Sequence, residues 1–186
     1  AFYSRSDATF SSGPDRARRQ ARMLAKVLAQ RPSPQRMVDV GCGDGAATHL
    51  LKRLDPRNTV IGIDWSAAAL ALARARGLLV IQGGIDGSGL PMPEASADVV
   101  IMSELIEHLV DTDAAVDEAR RVLRPGGILL LSTPNLAAWF NRGLIGLGIQ
   151  PLFSEVSLRG IYGRPGHEVA GHLRLFTRRA LVEFLT

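Results

Sequence analysis

The stretch "SELIEHLV" (103–110) gathers two carboxylates and an imidazole, Glu104, Glu107 and His108, at positions i, i+3 and i+4. On a helix that spacing sets all three on one face. Such a face could ligate a divalent cation, exchange protons with a bound molecule, or simply place acids where a helix N-terminus favours them. The elements that position these groups decide among the three.

The chain has 186 residues, enough for one domain with a proper core and too few for two comfortable ones. Hydrophobic residues make up 46% and charged residues 22%, the balance of an ordinary globular protein. The net charge is +4, the isoelectric point is about 10.0, and Lys26 and Lys52 are the only lysines. Arginines cluster in "RARRQAR" (16–22). That run is either an anion-binding face or the solvated side of a helix, because charge alone specifies no partner. A nucleic acid is accordingly not the expected partner. The single cysteine, Cys42, excludes an internal disulfide and fits a reducing compartment. The opening "AFYSRSDATF" lacks the apolar run of a signal peptide, and the missing initial Met suggests a trimmed chain. The late apolar stretch "LAAWFNRGLIGLGIQPLF" is broken by Asn141, Arg142, glycines and Pro151, which makes a poor membrane span. A cytoplasmic location is expected.

An amphipathic basic helix is predicted over about 15–30, stopped by "RPSPQ". Short apolar runs then alternate with helical patterns. Strands are predicted at 36–41, 59–64, 78–83, 97–103 and in "ILLLSTPN" after the "RPGG" turn. Helices are predicted in "AATHLLKRL", in "SAAALALARARG" with Ser66 as N-cap and Gly77 as stop, and from the fourth strand to Leu123. The strands are nearly continuous apolar runs, so both sheet faces should be covered. Strand–helix alternation of this kind predicts an α/β fold with a doubly wound, mainly parallel, Rossmann-like sheet. Residues 135–165 read as an apolar helix followed by an irregular loop, and Thr177 as the cap of a last helix.

"VDVGCGDGAATHLL" follows the first strand and opens a helix, as a ligand-binding loop requires. Gly41-x-Gly43-x-x-Ala46, with Asp64 about twenty residues on, satisfies the dinucleotide pattern and leaves NAD open. Asp39 and Asp44 argue the other way, because they lie beside the turn where a pyrophosphate would sit. A ligand with a ribose and a cationic end suits those acids better, and S-adenosylmethionine has both. The alternative is that the glycines serve only a tight turn.

Together "VDVGCGDG", "IGIDWS", "GLPMPEASADVVIMSELIEHL" and "RRVLRPGGILLLSTPN" resemble the class I S-adenosylmethionine-dependent methyltransferases, in the broad group similar to ubiquinone-biosynthesis enzymes (methyltransferase types 11 and 12). The resemblance runs from about residue 37 to 135. It implies that Gly41, Gly43 and Gly45 pass close to the methionine part of the cofactor. Asp64 would accept from both ribose hydroxyls, with Trp65 beside the adenine. Asp86 matches the position that binds the adenine amino group, although isoleucine replaces the usual glycine before it. Ser103 matches a cofactor contact, and Asp39 would orient the ammonium or serve structure. S-adenosylhomocysteine would be the product. The family fold carries seven strands, with an antiparallel hairpin after the last helix. This sequence stops at the end of a helix, so a sheet edge is expected to be missing. The implied organisation is one methyltransferase domain over 1–186. Within it, 1–35 form a cap-helix region, 36–134 the cofactor-binding core, 135–176 a substrate-side insertion and 177–186 the last helix.

Methyl transfer needs alignment and exclusion of water, and a base only where the acceptor must lose a proton. The acidic helix can therefore be structural, can supply His108 as base together with His172 from "GHLRLFT", or can bind metal through Glu104, Glu107, His108 and His172. The last pattern resembles the small-RNA 2′-O-methyltransferases, and it suits Mn²⁺, Fe²⁺, Co²⁺ or Zn²⁺ better than Mg²⁺. His167 is an alternative late ligand, and His49 is expected to be non-functional. Tyr3, Trp139, Phe140 and Tyr162 are candidates for an aromatic cover over the acceptor, with core packing as the alternative for Trp139 and Phe140. The expected activity is methyl transfer to an oxygen of a small molecule with an apolar part. The alternatives are a metal-dependent RNA 2′-oxygen methyltransferase, a non-catalytic adenosyl-cofactor-binding domain and an NAD-dependent oxidoreductase. The sequence leaves the oligomeric state open.

Overall fold

In the computed structural model, residues 14–30, 34–87, 89–164, 166 and 169–186 are described. The expectations for 1–10 with Tyr3, and for His167, lie outside them. The apolar runs form five strands: β1 (Arg36–Val40), β2 (Thr59–Asp64), β3 (Leu79–Gln82), β4 (Ala97–Ser103) and β5 (Leu123–Ser132). They pair in the order β3-β2-β1-β4-β5, all parallel. The helices are α1 (Pro14–Leu28), α2 (Ala46–Leu54), α3 (Ala67–Ala75), α4 (Thr112–Val122), α5 (Trp139–Gly146) and α6 (Arg178–Leu185).

Period-two alternation sends successive strand residues to opposite faces. Val38, Val40, Val100 and Met102 join Ala115, Val116 and Ala119 of α4, and Phe184 and Leu185 of α6 pack against that cluster. Met37, Val99 and Ile101 join Leu24 of α1 and Leu51 of α2 on the other face. β4 is buried along its length except at Ser103, which makes it the centre of the core. Each aliphatic side chain so buried contributes about 1.5–3 kcal/mol. Strand order reverses between β1 and β4, so the ligand crevice of a doubly wound sheet opens at their carboxyl ends.

Local signals set the boundaries. Ser66 Oγ accepts the Ala69 N–H at 3.2 Å, Thr177 Oγ1 accepts the Ala180 N–H at 3.1 Å, and Gly77 ends α3 at φ 74°. In β5 the "RPGG" residues bulge from the ladder, because Ala97 pairs with Leu123 while Val99 pairs with Ile128.

One expected helix is not continuous. The Glu104 N–H still donates to the Ser132 carbonyl at 2.8 Å, so the contact with β5 persists one residue past β4. Glu104 then turns the chain at φ 53°. A single 3-10 turn, Ile106–His108, follows, and α4 restarts where the Asp111 carboxylate accepts the Ala114 N–H at 2.9 Å. Glu104 therefore shares no helix face with Glu107 and His108.

Gly45 and Gly77 separate two reasons for glycine. Both have φ near 75°, but a Cβ on Gly45 would lie 2.4 Å from Leu78 Cδ1 and 2.9 Å from Ala73 Cβ, whereas one on Gly77 meets nothing within 4 Å. In urea unfolding, Gly77→Ala should cost about 1 kcal/mol, the left-handed backbone penalty alone. Gly45→Ala should cost about 2 kcal/mol more, as overpacking of a filled site does. Equal losses would show that the α2–α3 contact is not tight.

Candidate functional site

β1 delivers its chain end into a turn of three glycines, with φ 74° at Gly41, 55° at Gly43 and 76° at Gly45. Leu105 packs under Gly41, where an added Cβ would stand 3.1 Å from Leu105 Cδ1. β2 ends beside this turn at Asp64, whose Oδ2 accepts the Gly43 N–H at 2.8 Å and whose Oδ1 accepts the Ser66 N–H at 2.9 Å. Each carboxylate oxygen keeps a further lone pair for a ligand. The result is a side-chain-free backbone edge next to a largely buried acid, a surface suited to a ribose hydroxyl pair and a cation.

The other acids of the loop have different fates. Asp44 is paired with Arg76: Nη2 donates to Oδ2 at 2.8 Å and Nε to the Asp44 carbonyl at 2.9 Å. Its charge is thus offset, and repulsion of a pyrophosphate by Asp44 is a weaker argument than the bare sequence gives. Asp39 is buried and accepts the Thr48 hydroxyl at 2.6 Å. Burial pushes its carboxyl up from 3.8 to about 6, opposed by the Thr48 hydrogen bond and assisted by the Asp64 charge. Burial, with Asp39 and Asp64 adding, also raises the Cys42 thiol, so it stays protonated and is no nucleophile. Trp65 is 53% exposed beside Asp64, and Asp86 is exposed beyond the buried Ile85. Ser103 donates to Ser132 Oγ at 3.0 Å, because the Ser132 proton goes to Glu104 Oε1 at 3.1 Å.

Across the crevice the structure brings together three of the four proposed metal ligands. Glu107, His108 and His172 each place a ligand atom within 4.8 Å of the other two. Glu104 belongs instead to the Ser103–Ser132 network, for the backbone reason given above. The His108 Nδ1–H donates to the Gly171 carbonyl at 3.1 Å and the His172 Nδ1–H to the Phe153 carbonyl at 2.9 Å. A carbonyl can only accept, so in each neutral ring the lone pair sits on Nε2. The rings lie 4.9 Å apart, centre to centre. A cleft of about 420 Å³ opens beside His172, walled by Glu155, Val156, Leu158 and Arg159. Trp139 is 83% exposed and edge-on to Phe140, and Tyr162 is 59% exposed, so Trp139 is no core contact.

Sequence reasoning missed Thr48, Ser132 and Glu155. Thr48 had a signal: it is the polar member of the buried stripe Ala47, Thr48, Leu51 on α2. Ser132 and Glu155 had none, because their amide, hydroxyl and carboxylate partners lie 15 to 29 residues away.

Comparisons with known proteins place this geometry. A family model described as "Methyltransferase domain" matches residues 38–131, half of the chain. A probable S-adenosylmethionine-dependent methyltransferase of Mycolicibacterium smegmatis is 40% identical over 117 residues, covering 63% of this chain and 45% of that protein. A malonyl-[acyl-carrier protein] O-methyltransferase of Hahella chejuensis is 39% identical over 108 residues, 57% of this chain and 39% of that one. The crystal structure of a possible histamine N-methyltransferase from Thermotoga maritima shares the fold at TM-score 0.62 and 20% identity, covering 91% of this chain and 70% of its own. The chain spans less than half the length of the first curated relatives it matches. Among the described residues, no helix is long and apolar enough to cross a membrane.

Asp39 makes the stability of the ligand-free protein depend on pH. Its folded-state value lies above the unfolded one, so it costs stability above about pH 6, and the cost disappears as pH falls below 3.8. That difference corresponds to about 3 kcal/mol at neutral pH. Asp39→Asn should therefore raise the melting temperature at pH 7.5 and lose the advantage near pH 4. A variant that melts lower at pH 7.5 would show that the charge stabilises the loop.

Proposed function

The chain belongs to the methyltransferase-domain family, and from that premise we propose that it binds S-adenosylmethionine and transfers its methyl group to an oxygen of a small molecule with an apolar part. One observation carries the reading: the Asp64 carboxylate ends β2 against the backbone of the Gly41, Gly43 and Gly45 turn. Gly41, Gly43 and Gly45 would receive the methionine part, Asp64 the ribose, Trp65 and Asp86 the adenine, and Asp39 and Ser103 the remaining polar contacts. A dinucleotide is disfavoured because Asp39 and Asp44 lie beside the turn where its pyrophosphate would sit, although the Arg76 pairing offsets the Asp44 charge.

When bound, the cofactor supplies an electrophilic methyl group on a sulfonium whose leaving group departs neutral. The work left to the chain is alignment, desolvation and proton removal. His108 and His172 hold Nε2 lone pairs at the crevice and would take the proton of an acceptor hydroxyl. The apolar walls Val156 and Leu158 favour an acceptor with a hydrophobic part. The O-methyltransferase of Hahella chejuensis supports oxygen as the acceptor atom.

A second reading is favoured by the three-residue cluster itself. Glu107, His108 and His172 offer one carboxylate and two imidazoles, a donor set that fits Mn²⁺, Fe²⁺, Co²⁺ or Zn²⁺. Such an ion, when bound, would lower the pKa of an acceptor hydroxyl. The Nδ1–H donations to backbone carbonyls hold both rings in the tautomer a metal ligand needs.

Calorimetry separates the cofactor classes: S-adenosylhomocysteine should bind, NADH should not, and Asp64→Ala should weaken binding about tenfold or more. Binding of NADH without the homocysteine product would overturn the reading. In a screen of phenols, catechols, amines and RNA, transfer should appear on hydroxyl acceptors. Transfer confined to amines or RNA would refute the acceptor class. Chelation and elemental analysis divide the two roles of the histidines. With a proton-transfer pair, chelation changes nothing and His172→Ala lowers kcat by about 10²–10⁴. With a metal centre, the ion is retained on purification and lost in Glu107→Gln.

A further inference from the structure

Glu155 is a buried carboxylate whose partners are three successive backbone amides. Its side chain is 1% exposed. It accepts the N–H groups of Ala170 at 2.6 Å, Gly171 at 2.8 Å and His172 at 3.1 Å, and the Arg164 guanidinium lies 3.5 Å away. Consecutive amides converging on one anion form the concavity that elsewhere binds phosphate, and here the chain fills it from within. Charge-assisted hydrogen bonds of this kind are about twice as strong as neutral ones.

The turn so held carries both histidine contacts. The Gly171 carbonyl, at φ 78°, receives the His108 Nδ1–H, and His172 itself is the last amide of the three. Two residues before Glu155, Phe153 sits at φ 70°, an unusual backbone for an aromatic residue, and its carbonyl receives the His172 Nδ1–H. His172 is thus gripped through its backbone by the Glu155 side chain and through its ring by the backbone of the same segment. The anchoring continues past the turn: the Leu173 N–H donates to the Glu107 carbonyl at 2.8 Å, and Arg174 Nη1 to the Leu109 carbonyl at 2.7 Å. Glu155 also walls the cleft beside His172, but its oxygens face the backbone amides.

We propose that Glu155 is a positioning residue: its carboxylate holds the 170–172 turn so that His108 and His172 stay side by side and keep their Nδ1–H tautomers. The role rests on the reading of the histidines as the groups that handle the acceptor. Loss of the carboxylate frees the turn, and both rings lose their carbonyl partners at once although Glu155 touches neither ring.

Nitrogen-15 NMR of histidine-labelled protein reads the tautomers directly, without a known acceptor. In the wild type, His108 and His172 should show the Nδ1–H form. In Glu155→Gln both should move toward the Nε2–H form while His49 on α2 stays unchanged. The amides of residues 170–172 should exchange at least tenfold faster. Affinity for S-adenosylhomocysteine should stay within twofold, and with an active acceptor kcat should fall at least tenfold. Unchanged tautomers in the variant, or their absence in the wild type, would overturn the proposal. So would a loss of homocysteine-product affinity equal to the loss in kcat, which marks a general structural defect. Should Glu155→Gln not fold, the wild-type tautomers and the slow exchange of the three amides still decide it. Failure of the cofactor reading shows separately, as wild-type protein that does not bind the homocysteine product.

Discussion

Two backbone amides from different elements converge on the Asp64 carboxylate, Gly43 from the loop after β1 and Ser66 from the start of α3. That convergence ties β1, β2 and α3 together at the carboxyl edge of the sheet, and the loop's backbone follows from it. Gly41 and Cys42 both donate to the Ile63 carbonyl, one residue before Asp64, so the loop must fold back over the end of β2. Gly45 must then enter α2 against Ala73 and Leu78, where no side chain fits. An acid already anchored by two N–H groups is also pre-oriented, so little freedom remains to be lost when a ligand hydroxyl arrives.

The strands were legible because each contains a short apolar run, buried on both faces in β1 and β4, and a run of that kind has few alternatives in a chain of this length. Helix starts were legible where a side chain caps them, as at Ser66 and Thr177. The misreading came where two signals competed. "ELIEH" has helical spacing, but the N–H of Glu104 is claimed by the Ser132 carbonyl across the sheet. Asp111, three residues before Ala114, was the cue that the true helix begins later. Local periodicity lost to a hydrogen bond from a strand 28 residues downstream.

The residues proposed for the cofactor lie at the ends of elements that sequence alone delimits. The electrostatics were less legible. Asp44 reads as a free anion until Arg76, 32 residues away, is seen beside it. Asp39 reads as a charged group until the core closes around it and pushes its carboxyl toward neutrality. A resemblance to the small-RNA 2′-O-methyltransferases suggested His172 as a partner for His108, and the two rings do lie together. That resemblance gave no hint that Glu155 organises the turn between them, because a buried acid satisfied by backbone amides has no sequence pattern.

These differences trace to two kinds of cohesion. Among the described residues, every fully buried apolar side chain lies at or before Val122. Beyond it, the buried groups are polar: Asn141, which exchanges two hydrogen bonds with the Leu152 backbone, Ser154, and the Glu155 carboxylate. The part up to Val122 is thus held by packing, which tolerates little change in volume. The segment 141–155 is held by a few directional hydrogen bonds, each of which fixes a geometry without filling a core. Residues exposed in the cleft, such as Val156, Leu158 and Arg159, can vary without disturbing either set. The two parts are nevertheless joined by packing as well as by chain, because Phe176, Phe184 and Leu185 lie against the core cluster and the Arg174 guanidinium donates to the Leu109 and Val110 carbonyls.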